Sequence, residues 1–338
     1  MPRASAIARG FGGIVSIKAL PLCLLAHLAL TGAVWITLAE SAAAQQQQVR
    51  DAVVGARLGA GYAGLLNLAA TPDISAATYH VTNPELATDI DVLRVPYEHR
   101  LATLSSNADL YWKVAGAYLT SKQDLPMSIP PFAPGSIDSK WTAYSLTGGL
   151  SAKIALGSGF TLVPGLDLSV ARLENSADYM GGATLLQPFL DNLLFNWHTN
   201  AYLVTPNLGL VWNLVEADRR INVGAHVSWS WISSFDASDS ALKFNETMGV
   251  YSIRADYAAP TGMKVFQRPL DWVVLTSYAG FCGGNRDALG FTSVAEVGAG
   301  VEIPISKNLA NPKRVRISAS YLFGDHVTGW TVGLGLRY

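Results

Sequence analysis

The chain has 338 residues, half of them hydrophobic, 14% charged, and a formal net charge of −1. That charge content is well below the roughly 25% of an ordinary soluble domain, and a near-neutral balance leaves no basic footprint for nucleic acid. Apolarity this high needs a lipid-facing surface or a very large core.

In chain order, the first feature is an export signal. Arg3, Arg9 and Lys18 form a positive region, Ala19 to Ala39 is apolar, and Ser41-Ala42-Ala43-Ala44 offers small residues for a signal peptidase. We expect residues 1–44 to be a cleaved signal peptide; an uncleaved anchor helix is the competing reading. Leu22 ahead of Cys23 is too bulky for lipoprotein processing. Cleavage would leave 21 basic and 24 acidic residues and a single cysteine, Cys282, so no internal disulfide is expected.

Residues 45–74 form an N-terminal segment, periplasmic or lumenal. Val54, Ala56, Leu58, Ala60 and Tyr62 alternate with glycines and Arg57, which suits either a thirteenth strand or a small-residue helix inside a lumen.

Beyond residue 44 no run of 18 apolar residues could form a spanning helix. From about residue 75 to 338 the sequence instead repeats alternating segments. Tyr144, Leu146, Leu150, Ala152 and Ile154 share one parity, and Ser145, Thr147, Ser151 and Lys153 the other. Phe160, Leu162, Leu166, Leu168 and Val170 alternate with Thr161, Gly165, Asp167 and Ser169, and Ile221 through Trp231 alternates with Asn222, Gly224, His226, Ser228 and Ser230. A period of two is the signature of strands. Twelve segments follow, near 75–83, 89–104, 108–121, 140–156, 159–173, 197–215, 219–235, 247–258, 270–280, 291–306, 313–323 and 327–338. The fold class expected is all-β, a transmembrane antiparallel up-and-down β-barrel of about 12 strands.

The gaps support a barrel over a soluble sandwich. Connections at Thr120–Ser139, Glu174–Asn196 and Asp236–Glu246 are long, whereas Ser105–Asn107, Gly157-Ser158 and Glu216–Asp218 are short. Outer-membrane barrels have short periplasmic turns and longer outer loops. Ala259–Pro269 and Lys307–Pro312 read as turns that are not minimal. Trp112, Trp141, Trp197, Trp212, Trp229, Trp231, Trp272 and Trp330 lie mostly near strand ends or on the apolar parity, where interfacial girdles need rings.

Parity assigns Arg94, Glu98, Lys113, Lys153, Asp167, Glu296, Glu302, Arg314 and Arg316 to the lumen. Facing lipid, each base would cost roughly 2–4 kcal/mol at the midplane. Ion pairs filling a narrow barrel are the first reading and pore selectivity the second.

The chain ends Thr331-Val332-Gly333-Leu334-Gly335-Leu336-Arg337-Tyr338. Thr331, Gly333, Leu336 and Tyr338 supply the polar residue, glycine, hydrophobe and terminal aromatic of an outer-membrane assembly signal. Such a strand can pair with the β-barrel assembly machinery before closure. Together with Tyr321-Leu322-Phe323-Gly324-Asp325-His326 and Gly329-Trp330, this terminus resembles that of the solitary outer-membrane autotransporter-like β-barrel family. The resemblance implies a twelve-stranded barrel in the bacterial outer membrane. About 30 residues separate the expected cleavage site from the first strand, so no passenger domain is expected.

The nearest catalytic pattern is His226-Val227-Ser228. Acyl transfer from lipid needs Ser beside His, with an acid or amide orienting the imidazole, facing the lipid, but parity turns His226 and Ser228 into the lumen. Cys282, read as a loop residue, has no second ligand at metal spacing. The apolar run Leu185–Leu194 lies in a long loop. It folds over the mouth, contacts lipopolysaccharide, or most simply packs on the rim. The expected function is a structural or narrow-pore role, with a porin-like channel as runner-up and a lipid-modifying enzyme third. No cofactor or metal is expected, and the expected partners are outer-membrane lipid, lipopolysaccharide and the assembly machinery.

Overall fold

A computed structural model of the chain describes residues 74–82, 88–127, 134–283, 291–305 and 314–337. The expectations for residues 1–44, for the 45–74 segment up to residue 73 and for the Lys307–Pro312 turn lie outside the described residues. Twelve strands succeed one another: β1 Ile74–Val81, β2 Thr88–Ser105, β3 Ala108–Met127, β4 Gly135–Gly157, β5 Phe160–Gly181, β6 Trp197–Glu216, β7 Arg219–Phe235, β8 Asn245–Val265, β9 Arg268–Cys282, β10 Ser293–Pro304, β11 Arg314–Gly324 and β12 Val327–Arg337. Each pairs with its chain neighbours, and β1 closes antiparallel on β12 from Ile74↔Leu334 to Val81↔Val327. Closure is what the sequence pattern demands. Lipid offers no partner to a backbone N–H or C=O, so a sheet in lipid must have no edge.

Side chains on one parity face outward, and there they are large, apolar and exposed: Leu146, Leu168 and Val332 are each 58% exposed. A hydrophobic surface that extensive belongs against lipid. Aromatic cross-strand pairs mark its two borders. Near the short-turn end lie Tyr97–Trp112, Phe160–Trp212 and Tyr257–Trp272, with ring centroids 5.6, 6.2 and 5.3 Å apart. Toward the other end lie Tyr118–Tyr144, Tyr251–Tyr278 and Tyr321–Trp330, at 5.3, 6.2 and 5.0 Å. Two tryptophans depart from the girdle expectation. Trp141 and Trp197 point inward, are buried, and meet edge to face at 5.0 Å.

Several strands outrun the segments read from alternation. β3 continues to Met127 and β4 starts at Gly135, so most of the long connection expected over Thr120–Ser139 is strand. β5 likewise extends to Gly181. The broad turn expected at Ala259–Pro269 is a tight hairpin at Phe266-Gln267, both at positive φ (52° and 61°), with a register irregularity between Pro260 and Lys264. Positive φ at both turn residues matches the strand twist. About 9–11 tilted residues cross a bilayer, whereas β3, β4 and β5 have 20, 23 and 22. The surplus strand still pairs its backbone in water, but nothing there forces apolar residues outward, and the alternation fades.

Cross-strand register on the surplus outer face of β3–β5 is informative. Above Tyr118 and Tyr144, which pair with each other and with Arg172, the rows run Thr120–Thr142–Glu174, Lys122–Lys140–Ser176 and Asp124–Asp138–Asp178. The carboxyl of Asp138 is raised above its ordinary range, by desolvation first, then by the Asp124 charge and hydrogen bond and the Asp178 charge.

Two outcomes follow from this architecture. A Cβ at Gly329 would collide with the Thr78 carbonyl across the closing seam, while one at Gly116 meets nothing. Gly329→Val should therefore abolish the compact, heat-modifiable form on unboiled gels, and Gly116→Ala should keep it. A carboxyl with a raised folded-state pKa binds its proton more tightly folded than unfolded, so it lowers stability as pH climbs through that window. Asp138→Asn should raise the melting temperature of the protein in micelles at pH 7.5 and leave it unchanged near pH 3, read by circular dichroism.

Candidate functional site

The inward parity builds a lumen with two tiers. The lower tier, toward the tight turns, is charged. Arg94 and Glu98 stand on β2, Lys113 on β3, Lys153 on β4, Asp167 on β5, Glu302 on β10, and Arg314 and Arg316 on β11, while Glu296 stands higher on β10, in register with Leu322. All nine lie on the face opposite the exposed apolar side chains, as register pairs such as Glu98↔Lys113 and Glu302↔Arg316 require.

On the β2–β6 wall, Lys113 Nζ is 2.8 Å from Asp167 Oδ2, which also accepts from Asn207 Nδ2 at 3.0 Å. His226 on β7 lies within electrostatic reach of Lys113, Asp167 and Arg94. Lys153 bridges to Glu98 and sets its ammonium 4.0 Å from the Tyr111 ring centroid, a cation–π contact.

The β7–β11 wall holds a denser network. Glu302 accepts from Arg220 and Arg316, each at 3.2 Å, and Asp271 from Arg220 at 2.9 Å and Arg314 at 2.6 Å. Asp256 takes Arg316 at 3.0 Å and stands 3.8 Å from Arg254. Glu302 and Arg316 are almost wholly buried, at 1% and 3% exposure. Glu296 stands apart, accepting from Ser277 Oγ at 2.8 Å.

Sequence reasoning missed Arg220, Arg254, Asp256 and Asp271, although parity could have found them. Arg254 and Asp256 continue the inward row of Met248, Val250 and Ser252, and Asp271 follows once the Phe266-Gln267 turn fixes the register of β9. Among the described residues, Arg94 Nη1, Arg316 Nε and Nη1, Asp167 Oδ1 and His226 Nδ1 are buried without a hydrogen-bond partner. The lower tier keeps unspent hydrogen-bonding capacity.

The upper tier is apolar. One contiguous cluster takes a buried inward side chain from every strand: Tyr79 and Val81, Ile90, Leu119, Trp141, Leu173, Leu203, Ile232, Met248, Phe281, Val294, Leu322 and Val327, in chain order. Leu119, Ala201 and Ile232 are 0% exposed. A side chain lining a water-filled pore would be wetted, and these are not. Loop residues Leu193, Leu242 and Phe291 join the cluster.

The β5–β6 loop is anchored into this mouth. It contains a 3-10 turn, Gly182–Leu186, and a one-turn helix, Gln187–Leu190. Leu190 and Phe195 pack on Leu125, Ile137 and Ala177 of the extended wall, while Leu185 and Phe189 stay exposed. The loop both packs on the rim and contributes Leu193 to the filled mouth. Asp191 organises it: Oδ1 accepts from Tyr179 Oη at 3.0 Å and Asn196 Nδ2 at 2.7 Å, and Oδ2 from Gln187 Nε2 at 3.1 Å. Burial first, then the bond to Asp191, pushes the Tyr179 phenol up, so it remains a donor. Asn196 completes the ladder with its side chain, accepting from Ala177 N at 2.8 Å and donating to Ala177 O at 3.2 Å.

His226 and Ser228 both face inward, Ser228 buried, while Val227 between them is exposed outward. Asp167, which lies within electrostatic reach of His226, is engaged by Lys113 and Asn207. Cys282, expected in a loop, is the last residue of β9 and pairs in register with Gly249. In the terminal strand Thr331 and Gly333 face inward opposite Ala77 and Ser75, and Leu336 pairs through its backbone with Val315. Tyr338 lies outside the described residues.

Removing one partner of a buried ion pair strands the other and costs roughly 3–5 kcal/mol. Glu302→Gln, which leaves Arg220 and Arg316 short of a charge, should lower the unfolding free energy by about that amount in denaturant titrations in vesicles.

The sequence matches the family described as solitary outer membrane autotransporter β-barrel domain over residues 79–334. No curated protein matches it. Among solved structures it is similar to the β-domain of the Bordetella autotransporter BrkA, at 14% identity over 78% of this chain and 96% of that one, with a TM-score of 0.49. The translocator domain of NalP from Neisseria meningitidis shares 13% identity over 88% of this chain and 96% of its own, at 0.49. The transport unit of AIDA-I from Escherichia coli shares 11% over 83% and 98%, at 0.47.

Proposed function

The chain belongs to the solitary outer membrane autotransporter β-barrel family, and from that premise we propose that it is a barrel closed toward the outside, structural in role and passing at most small ions by a narrow route. The carrying observation is the apolar cluster that draws one side chain or more from all twelve strands. Threading an unfolded passenger or a hydrated solute would require pulling that cluster apart. Its inward residues, Trp141 and Trp197 packed edge to face among them, resemble a domain core more than a channel lining.

The narrow-pore half of the reading is favoured by the lower tier, where ion pairs and unpartnered polar atoms line the wall. A transient gap in the mouth would join this polar chamber to the outside. A non-enzymatic role is supported by the inward orientation of His226 and Ser228, away from the acyl chains an enzyme of this kind would cut. Export by a cleaved signal peptide and assembly through the terminal strand complete the proposal, supported by the small-residue run at Ser41–Ala44 and by Thr331 and Gly333 in the closing strand.

Planar-bilayer recording tests it. The protein should give rare, small openings. Trp141→Ala with Trp197→Ala, which removes two of the largest rings from the mouth cluster, should raise conductance several-fold. Stable porin-sized conductance of the unaltered protein would instead support the passive-channel reading. Hydrolysis of phospholipid or lipid A that is abolished by His226→Ala would support an enzyme.

A further inference from the structure

The outer face of β3–β5 carries a second feature that the lumen does not explain. Lys122 and Lys140 are direct cross-strand partners, both exposed on the outward parity. They sit two rows above the Tyr118–Tyr144 pair that borders the lipid. Like charges placed directly opposite destabilise a sheet, yet among the described residues neither lysine makes an ion pair. Apart from Glu174, which pairs with Arg172, the carboxylates of this face are segregated into the next row, Asp124–Asp138–Asp178. Below the lysines, in the row of the tyrosines, stands Arg172, ion-paired with Glu174 at 2.5 Å.

Above the tyrosine row and its Arg172–Glu174 pair, charge on this wall is thus banded by height: two bases, then three acids. Mixed pairs would serve stability better, so the banding points to a layered partner outside the chain. An outer leaflet built of phosphorylated glycolipid has that layering. Acyl chains end at the ring border, and phosphates lie just above it.

We propose that Lys122, Lys140 and Arg172 form a docking site for the phosphorylated headgroup of lipopolysaccharide, with one phosphate held between the two lysines. The phosphate relieves the repulsion between the ammonium groups, and the Asp124–Asp138–Asp178 row above confines the anion to the basic band. Tyr118 and Tyr144 offer their rings to the first carbons of the acyl chains. The site rests on membership of an outer-membrane family and not on the state of the lumen, so bilayer conductance and lipid binding can fail independently.

The test is native mass spectrometry of the full protein in detergent with rough-type lipopolysaccharide bearing both lipid A phosphates. The unaltered protein should retain the lipid. It should hold the same lipid after enzymatic removal of the phosphates at least about tenfold more weakly. Lys122→Glu with Lys140→Glu should weaken retention of the phosphorylated form by a similar factor. Thr247→Glu, on the outer face of β8 and away from β3–β5, should not. Folding of each variant is checked by heat-modifiable migration, and Lys122→Gln with Lys140→Gln serves if the charge reversals fail to fold. Equal retention by the lysine variants, or indifference to the phosphates, overturns the proposal.

Discussion

A backbone in lipid has nowhere to place its hydrogen bonds except on itself. In this chain that constraint is met by the seam where Ile74–Val81 lies against Val327–Leu334, and the rest of the molecule follows from it. Once the sheet has no edge, every strand residue within the membrane has only two environments, lipid or lumen. The sequence sorts itself accordingly: Leu146, Leu168 and Val332 to one side, Lys113, Asp167 and Arg316 to the other. The seam also brings both ends of the described barrel to the short-turn side, leaving most of the long connections, that between β5 and β6 foremost, at the far mouth.

The lumen solves a second problem, how to fill a closed cylinder. Below, it is filled with charge. Arg220, Arg254, Arg314 and Arg316 meet Asp256, Asp271 and Glu302 across β7–β11, a network in which each carboxylate has at least two bases within reach. Such networks add little net stability over an apolar filling but are severe when broken, so they fix strand register firmly. Above, the filling is apolar, and a loop tied down by Asp191 and Asn196 completes it. The change of filling along the axis is the most distinctive property of the barrel.

Alternation made much of this legible. The twelve strands, the closing parity and the inward placement of charged residues such as Lys153 or Glu302 follow from a period of two and the cost of a base in lipid. What escaped did so for physical reasons. Alternation reports the boundary between oil and water, so it fell silent where β3, β4 and β5 rise above the membrane. Trp141 and Trp197 were placed with the girdle rings because an indole suits an interface and a core equally well. Only the register of the extended strands, which no local pattern encodes, turns them inward. The filled mouth was hidden for the same reason. Ile90, Ile232, Phe281 and Leu322 are distant in sequence, and each alone reads as an ordinary strand residue on the less apolar face.

The account stands on the lumen being dry above and polar below, and side-resolved thiol labelling addresses this most directly. With Cys282 replaced by serine, single cysteines at Thr161, near the tight turns, and at Ala143, inside the mouth cluster, would be exposed to a membrane-impermeant maleimide in oriented vesicles. The account predicts labelling of the Thr161 position from the tight-turn side and none of the Ala143 position from the loop side. Rapid labelling of the Ala143 position from the loop side would mean an open aqueous mouth and would contradict it.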